Sequence, residues 1–203
     1  MSDLMQSVYA FDFVFDSQSV FRSLLQAMAN PGRIESIRRE AETFTEDYGT
    51  LLALGCTLLD NEEKMFVEKN PILAESLHNL TLCREGALEV ADYVFLSSEM
   101  NDGSLVAVFD KVKHGTYADP QCSATLLVYC ESVAGADAMV LSGPGIDGTL
   151  TVGVSPYVKK TIALRDAAQM EYPLGVELVF CDAGGAIMAV PRLVKTVAEG
   201  GEA

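Results

Sequence analysis

The sequence predicts an α/β domain in three layers, a mixed β-sheet with helices on both faces. Apolar spacing of helical period alternates along the chain with short apolar runs of strand length. One of these runs, SATLLVYC (123–130), is nearly continuous in its hydrophobicity, as a strand covered on both faces is. The chain then closes on GVELVFCD and AIMAVPR, which flank Ala183-Gly184-Gly185, an antiparallel hairpin signal that makes the sheet mixed.

The elements follow in order. From Asp16, Val20, Phe21, Leu24, Leu25 and Met28 recur at helical spacing; Asp16 or Ser17 can cap this helix, and Pro31-Gly32 stops it. Arg22 falls at the edge of that stripe. A short strand runs from Ile34 to Ile37. YGTLLALGCTLLD (48–60) is a second helix, with Thr45 as cap and Glu46 and Asp47 in its first turn. KMFVEK (64–69) is a strand, and Asn70-Pro71 opens the helix ILAESLHNLTL (72–82). YVFLS (93–97) is a strand, and GSLVAVFDKVKHG (103–115) a helix ended by Gly115. After SATLLVYC come the strands AMVLS (138–142) and TLTVGV (149–154), which extend or pair with one another. Ser155-Pro156 starts the last long helix, PYVKKTIALRDAAQM (156–170), before the closing hairpin. No linker or repeat divides the 203 residues, so a single domain is expected, with its core at about 11–192 and both ends flexible.

The charge narrows the partners. With 14 basic and 29 acidic residues the net charge is −15, which repels nucleic acid and anionic membranes. MSDLMQSVYAF carries no basic leader and no long apolar run, and no segment reaches a membrane span. The five cysteines are an odd number at wide spacings, expected as buried reduced thiols of a cytoplasmic protein.

Few groups can carry chemistry. Gly143-Pro144-Gly145 after a strand is either a phosphate cradle or a turn joining two layers. A cradle needs a helix N-terminus directly behind it, and the next helix waits until Ser155-Pro156, so the turn is the favoured reading. Ser155 is the better helix-borne anion candidate. Of the two histidines, His78 flanks an apolar helical stripe and is expected to be structural. His114, at a helix C-terminus, is either a general acid, an anion contact or a cap. Neither a nucleophilic triad nor a metal-ligand spacing is present, so no metal or cofactor is expected, and no catalytic residue can be assigned. Arg22, Arg33 and Arg192 remain as cations that could grip a phosphate or a partner's carboxylate, Arg33 and Arg192 from loop ends.

FRSLLQAMANPGR, HGTYADPQCSATLLV, LSGPGI, YPLGVELVF and AVPR, in this order, resemble the PhnH family, the H subunit of the bacterial carbon–phosphorus lyase core complex. The likeness runs from about Phe11 to Arg192. Glu177 stands where the family usually has Asp, and Ser123 where a glycine often precedes Ala-Thr. The resemblance implies a fold related to the large domain of pyridoxal-phosphate transferases without the cofactor. None of the seven lysines lies in a pattern that marks a Schiff base. It also implies assembly with G, I and J subunits; with an L subunit, that machinery makes ribose 1-phosphonate 5-triphosphate, and the J subunit then breaks the C–P bond. The expected function is therefore an accessory, non-catalytic subunit, inactive alone. The rival is a stand-alone phosphate-ligand or nucleotide-binding enzyme using His114, Arg33 and Arg192. Homodimerisation through an exposed apolar face is a further expectation for the isolated chain.

Overall fold

The computed structural model describes residues 10–44, 47–168 and 170–197. Among the described residues ten strands form two sheets. The first has seven: β1 (Ile34–Ser36), β2 (Lys64–Val67), β3 (Arg84–Glu85), β4 (Tyr93–Leu96), β5 (Thr125–Tyr129), β8 (Glu177–Cys181) and β9 (Ala186–Val190), in the order β1-β9-β8-β5-β4-β2-β3. All run parallel except β9, which is antiparallel to both its neighbours. The second sheet holds β6 (Ala134–Ser142), β7 (Leu150–Val154) and β10 (Lys195–Thr196), in the order β10-β6-β7, all antiparallel. Of the two alternatives for AMVLS and TLTVGV, pairing is the one that occurs, in a small sheet shared with β10 and not in the main one.

The main sheet divides two hydrophobic cores by residue parity, because successive strand side chains point to opposite faces. Phe95, Leu127, Val179, Cys181, Ile187 and Ala189 join one core, beneath α1 (Phe15–Ala29), α3 (Gly49–Leu58) and α4 (Pro71–Thr81). Val94, Leu96, Leu126, Val128, Leu178, Phe180, Met188 and Val190 join the other, beneath α5 (Asp102–Lys111), α6 (Pro156–Ala167) and the inner residues of β6 and β7. The layers are helices, sheet, and then helices with the small sheet. The short α2 (Arg38–Ala41) and the two-residue β3 carry no signal long enough for periodicity to detect.

Local chemistry set several ends. Asn70 Oδ1 accepts the Leu73 N–H at 3.0 Å, and Ser155 Oγ accepts that of Val158 at 3.4 Å, so both expected caps form. At α1 the expected Asp16 or Ser17 cap does not form. Asp12 Oδ1 accepts from Val14 and Phe15 instead, at 2.8 and 2.9 Å, and these bonds hold its carboxyl below the usual range. Thr45 and Glu46 lie outside the described residues; α3 begins at Gly49 behind Tyr48, which is left-handed at φ 70°. The helix expected to run to Gly115 ends at Lys111. His114 pairs with Ser123 in an antiparallel bridge, and the Ala124 N–H donates to the Lys113 carbonyl at 2.8 Å, so this stretch is held extended and is no helix end. Cys56, Cys83, Cys130 and Cys181 are buried free thiols, whereas Cys122 is exposed. Burial pushes the Cys56 and Cys130 thiols up to about 12.

The largest correction lies on α1. Val20, Leu24 and Ala27 are buried, but Phe21 and Leu25, expected beside them, are 51% and 53% exposed. No helix among the described residues is long and apolar enough to cross a membrane.

Candidate functional site

Arg192 and His114 come together at the start of β8. The Arg192 N–H donates to Glu177 Oε2 at 2.8 Å, and its Nε lies 3.5 Å from Glu177 Oε1. Its Nη1 donates to Ser123 Oγ at 2.9 Å and to the Pro120 carbonyl. The Gly175 N–H donates to the His114 carbonyl at 3.1 Å. Arg192 therefore ties the loop before β5 to the ends of β8 and β9.

Beside it stands a residue that the sequence reading passed over. Arg165, on α6, is only 4% exposed. Its Nη1 donates to the carbonyls of Val190 and Pro191 at 3.0 and 3.2 Å, and its Nη2 to that of Val194. Asp166 Oδ1 takes its Nε and Nη2 at 3.0 and 2.8 Å, while Asp166 Oδ2 accepts the Thr196 N–H and hydroxyl. A signal was available: Val158, Ile162 and Arg165 follow the buried helical spacing, so an arginine on that face needed acceptors. Lys195 lies close by. Burial, with the Arg165 cation, holds its ammonium below the ordinary range despite Asp166. Together His114, Arg165, Gly175, Arg192 and Lys195 border a space of about 10 Å³, room for about one water and too small for a phosphate.

Gly143 and Gly145 approach the backbone of neighbouring segments closely. A Cβ on Gly143, at φ 141°, would come within 2.8 Å of the Leu193 carbonyl; one on Gly145, at φ 87°, within 2.9 Å of the Ala29 carbonyl. The turn thus seats the small sheet against the end of α1 and the segment after β9, and both seats require bare backbone. The chain continues from it into β7, with no helix start behind it. Arg33 follows this joint, exposed and paired with Glu35 at 2.7 Å. Ser155 is buried, with its hydroxyl engaged as the α6 cap. Arg22 stands apart from all of these on the outer side of α1. It is the only arginine without a hydrogen bond or ion pair among the described residues.

One crevice has the size and place of a ligand site. β2 leads into α4 on one face of the main sheet and β4 into α5 on the other, so the chain diverges between the carboxyl ends of β2 and β4. The crevice there has a volume of about 740 Å³ and is bordered by Tyr48, Lys69, Asn70, Ser76, Ser97 and Ser98, among others. Its polar groups are partly engaged: Lys69 Nζ lies 3.1 Å from Glu68, Asn70 caps α4, and Ser97 Oγ donates to the Glu68 carbonyl at 3.4 Å. Finding it from sequence required the strand order, which local patterns do not contain.

Fold and site define an α/β protein whose best-placed cations hold its own loops together. The chain belongs to the PhnH family of bacterial phosphonate metabolism proteins, whose model matches residues 10–197. It is 28% identical over 190 residues to the PhnH subunit of alpha-D-ribose 1-methylphosphonate 5-triphosphate synthase from Rhizobium meliloti, covering 91% of this chain and 92% of that protein. It is 25% identical over 176 residues to the putative C-P lyase subunit protein HtxG of Stutzerimonas stutzeri, covering 86% and 83%.

Proposed function

We propose that this chain is an accessory, non-catalytic subunit of a carbon–phosphorus lyase system, acting in the synthesis of ribose 1-phosphonate 5-triphosphate during phosphonate degradation. The observation that carries the reading is the family match over nearly the whole chain, with one relative named as a subunit of alpha-D-ribose 1-methylphosphonate 5-triphosphate synthase and the other as a putative C-P lyase subunit. The internal engagement of Arg165 and Arg192 supports it, since a self-sufficient phosphate enzyme needs cations free to meet its substrate. The partners are subunits of the G, I and J types, in the cytoplasm. Kinship with the large domain of pyridoxal-phosphate transferases belongs to the same proposal; a seven-stranded sheet with one antiparallel strand and helices on both faces supports it.

Affinity purification of the tagged chain, co-expressed with the G, I and J type subunits of its own system, tests the reading. Stoichiometric recovery of those subunits is expected, and the isolated chain should show no turnover of ATP with methylphosphonate. Failure to recover any of them at low salt, or turnover by the isolated chain, overturns it.

A further inference from the structure

Helix α1 carries two apolar stripes. The inner one, Val20, Leu24 and Ala27, is buried on the main sheet and α3. Each of these residues is followed by one of the outer stripe, Phe21, Leu25 and Met28, about 100° further round the helix. With Val14 and Gln18 the outer positions read 14, 18, 21, 25 and 28, spaced four, three, four and three. That is the heptad spacing with which one helix receives another along a seam. Met28 is half-buried, whereas Val14, Gln18, Phe21 and Leu25 are exposed, as are Phe13 and Phe15 at the N-terminal end. Five large exposed apolar side chains thus fall within residues 13–25, a concentration that scattered surface hydrophobics do not produce.

Charge selects the occupant. Arg22 stands directly beside Phe21 at a flank of the seam, and it is the arginine that the described residues leave unpaired. Its complement is a carboxylate on whatever lies along the seam. A second copy of α1 does not supply one readily. Its Asp12 carboxylate already caps its own helix, and its Asp16 already binds Arg39 and the Asp12 N–H. Two copies of a chain with net charge −15 also repel each other.

We propose that the outer seam of α1 is the docking surface for a helix of another subunit, one that carries an apolar heptad seam and a carboxylate placed to meet Arg22. This rests on the subunit reading above and deepens it by naming the surface.

The test uses the co-expressed system. Phe21→Asp with Leu25→Asp should lower recovery of the partner subunits by about tenfold or more, as for truncation of a buried interface anchor. Arg22→Glu should weaken recovery more than Arg22→Lys. Val106→Asp, at an exposed apolar position of α5 across the sheet, should leave recovery unchanged. Thermal unfolding of each isolated variant near the wild-type temperature separates lost docking from lost folding. If the wild-type chain recovers its partners and the Phe21/Leu25 variant recovers them equally well, the seam proposal falls and the subunit reading stands. If the wild-type chain recovers none, the subunit reading itself falls and takes the seam with it. If sedimentation shows the wild-type chain dimeric and the seam variant monomeric, with partner recovery intact, the occupant is a second copy and the proposal is overturned.

Discussion

Arg22 and Arg192 look alike in the sequence, each a lone cation beside apolar residues, yet the fold treats them in opposite ways. Arg192 sits in a corner where its Nη1 meets Pro120 and Ser123 and its Nε faces Glu177, all of the same chain, and Arg165 deepens that corner with three more carbonyls. Arg22 rides on an exposed apolar stripe with no such acceptor among the described residues. An arginine with its donors engaged holds loops in place; one left with free donors is available to something outside. Acceptor geometry separates the two roles, and residue type does not.

The largest effect that would sharpen this contrast is at Arg165. Arg165→Ala takes a buried donor from the carbonyls of Val190, Pro191 and Val194 and leaves Asp166 without its guanidinium, so urea unfolding of the isolated chain should show a loss of about 3–5 kcal/mol. Arg192→Ala, at a corner still 18% exposed, should lose less, about 2–3 kcal/mol, by the same measurement. A loss under half a kcal/mol at Arg192 would break the comparison, because its donors would then be dispensable to the fold.

A smaller effect of opposite sign belongs to Lys195. Its folded-state ammonium titrates below the unfolded value, so between the two the unfolded chain binds more protons and stability rises with pH. Lys195→Met should therefore be more stable than wild type at pH 7, with the gap closing as pH passes the folded-state pKa toward about 10.4. Urea midpoints across that range check it. At the bottom of the scale, Arg22→Ala should change the stability of the isolated chain by no more than about 0.5 kcal/mol. A larger loss would show that Arg22 serves the fold after all.

What was legible in the sequence follows the reach of each interaction. The α4 and α6 caps were readable because Asn70 and Ser155 bond three residues ahead, within the stretch that the pattern covers. The closing hairpin was readable for the same reason, from Gly184-Gly185 between two apolar runs. The outward turn of Phe21 and Leu25 was not, because each adjoins an inner residue of α1 and helical spacing fits either stripe. The separate sheet of β6, β7 and β10 escaped because β10 pairs with β6 from more than fifty residues away. Arg192 could be flagged but not assigned, since Pro120 and Ser123 lie 72 and 69 residues earlier in the chain. Arg165 is the avoidable miss: its place on the buried spacing of α6 was visible throughout.

The partition made by the main sheet has a consequence for how this molecule can change. In β4, β5, β8 and β9 odd and even positions belong to two separate interiors, with hardly a side chain left over for water. Adding or deleting one residue inside any of these strands would swap the tenants of both rooms at once. Inherited variation in length is thus driven outward to turns and helix surfaces, so a lineage can renegotiate whom the protein meets while its centre stays where it is.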